Sequence, residues 1–262
     1  MQPDWIDPHY HASQDEQLRR HSVPEAAAQF KALNAWGVIK SHQLSSVDAT
    51  VAAQGDGLPV SGSIVLNDAL GEPSPALVAD AAKRSQRSSA RLMVYWPTRP
   101  GRNSALLFTE AGSLTKLAAE LLGVIRDHDA VLATGHAGRP QVFETVQLAA
   151  QLGLARLLVT HAYHPMSGLS LADIEQLGNS PQVFIEQTAL TVLMARREEA
   201  ELIAALRAHP RSILSSDLGQ PANLALADFP AWRADFFTRH RVSAEESSAW
   251  SRQNAANLLF AE

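Results

Sequence analysis

The chain contains no cysteine. That excludes a disulfide framework, a thiolate zinc site and a cysteine nucleophile, so any metal must be held by imidazole and carboxylate groups. Positive charge is not in excess either. Lys and Arg number 22 against 27 Asp and Glu, a net charge of -5, which argues against a general nucleic-acid binder. No apolar run approaches the ~20 residues needed to span a bilayer, and the opening Met-Gln-Pro-Asp-Trp lacks the basic and apolar regions of a signal peptide. The expectation is a cytoplasmic protein with a small-molecule substrate, and with neither nucleic acid nor membrane as partner. Its oligomeric state stays open. No Gly-x-Gly-x-x-Gly follows any apolar run and there is no P-loop, which removes the main signature of an open dinucleotide-binding sheet.

What is present is 262 residues, 46% of them hydrophobic, enough for one large α/β domain over residues 1–262. Short apolar runs alternate with helical patterns throughout. Strands are expected at Asp7 to His11, Val38 to His42, Gly62 to Asn67, Arg91 to Trp96, Ala130 to His136, Arg156 to His161, Val183 to Glu186 and Ser212 to Asp217. Between them, helical spacing and capping residues predict helices over Pro24–Trp36, Ser46–Ala53, Pro75–Ser85, Leu114–Ile125, Gln141–Leu152, Leu171–Leu177 and Arg197–Ala208. Two more are expected over Ala227–Arg239 and Ala244–Leu259, the last opening on a capping box, Ser243 with Glu246. Thr98 to Ser104 is an irregular extra segment after strand four, and Ala105 to Thr109 is expected as a minor strand. Eight βα units in about 250 residues are what a single-domain (β/α)8 TIM barrel requires.

A barrel places every strand's C-terminal end on one rim. Strand one brings His9 and His11 there, two apart and so on one face. Strand two brings Lys40 and His42, strand five His136, strand six His161, strand eight Asp217. Neutral imidazoles two residues apart can grip one metal ion. The order His-x-His, His, His, Asp resembles the amidohydrolase superfamily of metal-dependent hydrolases. So do the phrases Lys40-Ser-His42, Trp96-Pro-Thr98, Thr134-Gly-His136 with Glu144 beyond, Val159-Thr-His161 and Ser215-Ser-Asp217-Leu-Gly-Gln220, which look like an uncharacterised branch of it.

The resemblance implies that His9, His11 and Asp217 hold one metal. His136 and His161 then hold a second, or one joins the first site and the other faces the substrate. Asp217 also takes a proton from a metal-activated water, so it is the implied catalytic residue. Many two-metal members carry a carboxylated Lys or a Glu at the end of strand four. Here that strand ends Tyr95-Trp96-Pro97, with Glu110 or Lys40 as replacements, so one and two ions both stay open. Zinc is the default metal for a His-rich site with a carboxylate, and manganese and iron stay open.

Candidates for a further metal or substrate contact are Lys40, His42, Glu110, His164 and Glu186, the last also as a partner orienting a ligating imidazole. Arg99, Arg102 and Arg139 are candidates for a substrate anion, since guanidinium forks pair with carboxylate or phosphate. The functional expectation is a hydrolase acting on an amide, ester or lactone bond of a small substrate. The alternatives are a mononuclear decarboxylase on the same scaffold and a metal-free barrel that only binds. A phosphoesterase of the polymerase and histidinol phosphatase type also opens Asp-x-His-x-His, but Asp217-Leu218-Gly219 lacks that family's closing His.

Overall fold

The computed structural model describes residues 3–12 and 15–261. Eight strands form one sheet in sequence order: β1 (Trp5–His11), β2 (Ala35–Lys40), β3 (Val60–Val65), β4 (Met93–Tyr95), β5 (Val131–Ala133), β6 (Leu157–Val159), β7 (Val183–Thr188) and β8 (Ser212–Ser215). Every neighbouring pair is parallel. Just past the end of β8 the sheet closes on β1. The His11 amide donates to the Leu218 carbonyl at 2.8 Å, and the Asp217 amide to the His9 carbonyl at 2.9 Å. Helices separate the strands, so the fold is the expected (β/α)8 barrel.

Alternation along the short strands sorts the core. Val131 and Ala133 of β5 join Leu158, Phe184 and Ile213 in the barrel interior, while Leu132, Leu157 and Val159 pack outward under the helices. Ala255, Leu258 and Leu259 of the last helix join the interior cluster. The Leu259 carbonyl accepts from the Arg91 amide, just ahead of β4, at 2.8 Å, so this helix plugs the bottom of the barrel. Trp96, expected near the rim, instead lies fully buried in the outer layer beside Phe108, its Nε1 donating to Thr145 Oγ1 at 3.3 Å.

Three local expectations need correction. The helix expected to reach Trp36 ends at Ala32, and β2 begins at Ala35; Gly37 lies inside the strand, where a Cβ would strike the Phe30 ring. The minor strand at Ala105–Thr109 is a helix, Arg102–Leu107, followed by a single bridge between Phe108 and Leu114. Asp68 accepts from the Arg102 and Asn103 amides at 3.0 and 2.8 Å, a cap supplied from across the fold that no local pattern reveals. The final helix is interrupted by a π-turn over Ala249–Gln253.

His209 sits at the barrel's lower end, ahead of β8. It is buried, its Nδ1 accepts the Arg211 amide at 3.0 Å, and burial holds its pKa down to about 4. The folded chain therefore binds this proton less readily than the unfolded chain, whose His titrates near 6.5. The stability this neutral imidazole gives is complete above pH 6.5 and is lost as pH falls from 6.5 toward 4. His209→Leu is expected to flatten the pH dependence of the unfolding free energy by about 1–2 kcal/mol between pH 6.5 and 5. Chemical denaturation at several pH values measures it, and parallel curves for the two proteins would refute the assignment.

Candidate metal centre

The rim side chains reach one place because the backbone bends there. In β1 the pairing register slips by one residue between Asp7 and Tyr10, so Pro8 and His9 together face Val38 of β2. Proline has no N–H to give the ladder, which makes this the natural position for a bulge. At the ends of β6 and β8, His161 (φ 30°) and Asp217 (φ 56°) adopt left-handed backbone, and Gly135 (φ 58°) precedes His136. A Cβ on Gly135 would collide with the Trp96 carbonyl. These turns direct the side chains across the barrel mouth.

Three atoms form a compact triangle. His9 Nε2 and His11 Nε2 are 3.3 Å apart, and Asp217 Oδ1 lies 3.2 Å from each. Around them the imidazoles close a circuit. Successive ring centroids are 5.1 Å (His9–His11), 4.8 Å (His11–His42), 6.4 Å (His42–His136), 5.0 Å (His136–His161) and 6.2 Å (His161–His9). His164 stands 5.4 Å from His161 at the mouth.

Glu186 of β7 lies beneath the triangle with no solvent exposure. It contacts His9 Nδ1 at 3.1 and 3.2 Å and accepts from the His161 amide at 2.9 Å and Ser215 Oγ at 2.7 Å. Burial alone would raise its pKa, but His9 and these donors hold it below the usual carboxylate value. An ionised carboxylate only accepts, so His9 Nδ1 carries the proton and Nε2 presents its lone pair to the triangle. Asp7 is likewise fully buried, one layer down, accepting from the His9 and Ser216 amides at 3.2 and 3.0 Å. Burial pushes its pKa up to about 6.

Lys40 rises from β2 into the same volume, fully buried. Its Nζ is 3.0 Å from His9 Nε2 and 4.4 Å from the centroid of Tyr95. Burial lowers its pKa to about 8, opposed by the charges of Asp217 and Glu186. Tyr95, which sequence reasoning passed over, stands at the end of β4 with its hydroxyl on the Pro8 carbonyl at 3.1 Å. Burial lowers the pKa of His11, His42 and His136, and holds His161 at about 4. Neutral imidazole is the form that coordinates a metal.

The donor set fits a divalent metal. N and O ligands about 2.0–2.1 Å from a tetrahedral zinc stand about 3.3–3.4 Å from one another, and the triangle's edges are 3.2–3.3 Å. His161 Nδ1 is also buried without a hydrogen-bond partner among the described residues. A second grouping, His11 with Asp15 and His42, lies beside the first, but Asp15 Oδ2 is already engaged by Arg19 at 2.6 Å. His42 Nδ1 meets Thr98 Oγ1 at 2.8 Å, and Asn67 bonds both that hydroxyl and the His42 carbonyl.

Four expected residues lie away from the centre. Glu110 is exposed on the loop before the helix Lys116–Asp127. Arg99 pairs with Glu16 at 2.7 Å, Arg102 with Glu72 at 2.7 Å, and Arg139 with Asp173 at 2.7 Å. Each guanidinium is held by a carboxylate, and none of the three lines the pocket over the centre. Glu144 is exposed on the helix Arg139–Gln151. The pocket over the centre, about 480 Å³, is lined instead by Arg19, Arg196, Gln17 and Gln220, with Pro165, Met166, Leu190 and Met194. Of these only Gln220 falls within a phrase the sequence singles out.

A family model described as "Family of unknown function (DUF6282)" matches residues 4–186. No curated protein matches the sequence. Among solved structures the chain is similar to 2,6-dihydroxybenzoate decarboxylase from Rhizobium, with a TM-score of 0.59, 11% identity and 98% of each chain covered. It is similar to dihydroxybenzoic acid decarboxylase from Polaromonas sp. JS666 with bound manganese and the inhibitor 2-nitroresorcinol, with a TM-score of 0.61, 10% identity, and 98% of this chain and 97% of that one covered. It is also similar to organophosphorus hydrolase from Deinococcus radiodurans, with a TM-score of 0.59, 14% identity and coverage of 97% and 92%. At these identities the likeness is one of fold: the chain shares the (β/α)8 barrel of these enzymes.

Proposed function

The chain belongs to the family of unknown function DUF6282, and because that description carries no reaction we propose one from the centre itself: a hydrolase, dependent on a single divalent metal, that cleaves an amide, ester or lactone bond of a small substrate. The observation that carries this is the triangle of His9 Nε2, His11 Nε2 and Asp217 Oδ1, with edges of 3.2–3.3 Å. His161 is the fourth protein group, and zinc is the metal such a donor set favours. A divalent metal there supplies Lewis-acid polarisation of a carbonyl oxygen and lowers the pKa of a water from 15.7 to about 7.

The chain's own groups do the rest. Asp217, 15% exposed toward the pocket, takes the proton from the attacking water. Glu186 keeps His9 in the tautomer that leaves Nε2 bare. Lys40 is the only lysine in the pocket lining among the described residues, its Nζ 3.0 Å from His9 Nε2, and its charge leaves less room for added cations. The end of β4 offers Tyr95 and no carboxylate, which supports one ion rather than two. His136, His42 and His164 line the pocket as neutral imidazoles that hydrogen-bond the substrate.

A second reading, a decarboxylase on the same scaffold, is supported by this single-ion arrangement beneath a pocket that holds guanidinium groups. Elemental analysis of purified protein is expected to give about one metal per chain, and none after chelation. Two per chain would overturn the single-ion centre, and none after reloading would favour the metal-free binding barrel. Turnover of a lactone, amide and carboxylic-acid panel in H2(18)O then separates the reactions. Hydrolysis places one heavy oxygen in the product, whereas decarboxylation releases CO2 and leaves the product unlabelled.

A further inference from the structure

We propose that Arg19 and Arg196 form an anion-binding site at the mouth of this pocket, and that the substrate is an organic acid with an apolar body. Arg19 lies on the segment after β1, its side chain 2% exposed. Its Nε and Nη2 are fixed on Asp15 Oδ2 at 3.0 and 2.6 Å. Its Nη1 is buried, has no hydrogen-bond partner among the described residues, and the residue lines the pocket. A buried guanidinium nitrogen left unpaired is unfavourable by more than a kcal/mol, so a ligand that completes it is strongly preferred. Asp15 holds the fork by Nε and Nη2, so Nη1 is the edge left over, and a small movement of the side chain brings it to an acceptor in the pocket.

Arg196 reaches the same pocket from the loop after the short helix Ala189–Leu193. No carboxylate pairs with it among the described residues, in contrast to Arg99, Arg102 and Arg139. The same pocket lining carries an apolar part that includes Leu190, Met166 and Met194. The methionines remain 50% and 47% exposed. Thioether side chains adapt to a flat or branched apolar body and make favourable contacts with aromatic rings.

Charge points the same way. Lys40, Arg19 and Arg196 balance Glu186, Asp217 and Asp15, and the divalent metal of the proposed centre leaves the pocket positive. The charge argument rests on that reading, whereas the unpaired nitrogen does not.

The test uses benzoate, phenyl phosphate and the neutral isostere benzamide, titrated calorimetrically into the metal-loaded full chain. Benzoate or phenyl phosphate is expected to bind at least tenfold tighter than benzamide, and the stronger of the two identifies the anion as carboxylate or phosphate. Arg196→Gln, on an exposed loop, is expected to weaken the preferred anion about tenfold and benzamide less than twofold, with metal content unchanged. Arg19→Gln is expected to do the same, with its fold checked by circular dichroism. Equal affinity for anion and benzamide, or anion affinity unchanged in both variants, overturns the proposal. Repeating the titrations after chelation separates it from the hydrolase reading. A metal-free chain that still loses anion affinity through Arg196→Gln supports the anion site whatever becomes of the centre.

Discussion

His11→Ala is expected to fold, to retain less than about a tenth of the wild-type metal after desalting, and to lose at least ~10³ in turnover, about 4 kcal/mol of transition-state stabilisation. His11 Nε2 is one corner of the triangle, 3.3 Å from His9 Nε2 and 3.2 Å from Asp217 Oδ1. Without it two corners of the triangle remain, and a four-coordinate metal loses a donor, while His42 Nδ1 is engaged by Thr98. The backbone at this position should survive. The His11 amide keeps its bond to Leu218, and the pairing of β1 with β2 through Lys40 needs no imidazole. Metal analysis beside thermal unfolding separates the two effects. A folded variant with full metal occupancy would remove His11 from the ligand set.

Glu186→Leu is expected to lower the melting temperature by roughly 10 °C and to weaken metal binding 10–100-fold. The carboxylate satisfies His9 Nδ1, the His161 amide and Ser215 Oγ, all buried. Leucine strands those three donors at about 1–3 kcal/mol each, partly offset by its apolar fit. It also leaves the buried Lys40 ammonium facing one carboxylate fewer. Glu186→Gln keeps the shape and some of the hydrogen bonds but not the charge, so it should recover much of the melting temperature and little of the metal affinity. Scanning calorimetry with competitive chelator titration reads both numbers. A Leu variant as stable as the parent would falsify the role assigned to this carboxylate.

How much of this was legible in the sequence follows from what local pattern encodes. Eight short apolar runs between amphipathic helices determine the barrel, because the periods of strand and helix are written into single residues. Rim position then follows, which is why His9, His11, His136, His161, Asp217, Lys40 and Glu186 could be named before any coordinates. What pattern does not carry is a contact made across the ring. The slip at Pro8–His9 depends on the partner strand. The left-handed turns at His161 and Asp217 fall on residues with no glycine to announce them. Arg19 belongs to no local pattern and is enclosed because Asp15 holds it, whereas the conspicuous arginines after strands four and five are neutralised by carboxylates 30 to 83 positions away. Helix ends slipped where a strand competed for the same residues, as at Trp36, whose Nε1 bonds Ser61 Oγ on β3.

Closure of the ring between β8 and β1 also sets a time order. The donors at the seam are separated by more than two hundred positions, so a nascent chain leaving the ribosome displays His9 and His11 long before Asp217 has been polymerised. The proposed ligand set therefore cannot be complete until Asp217 has been made, and an ion held there would tie the last stave of the cylinder, β8, to the first.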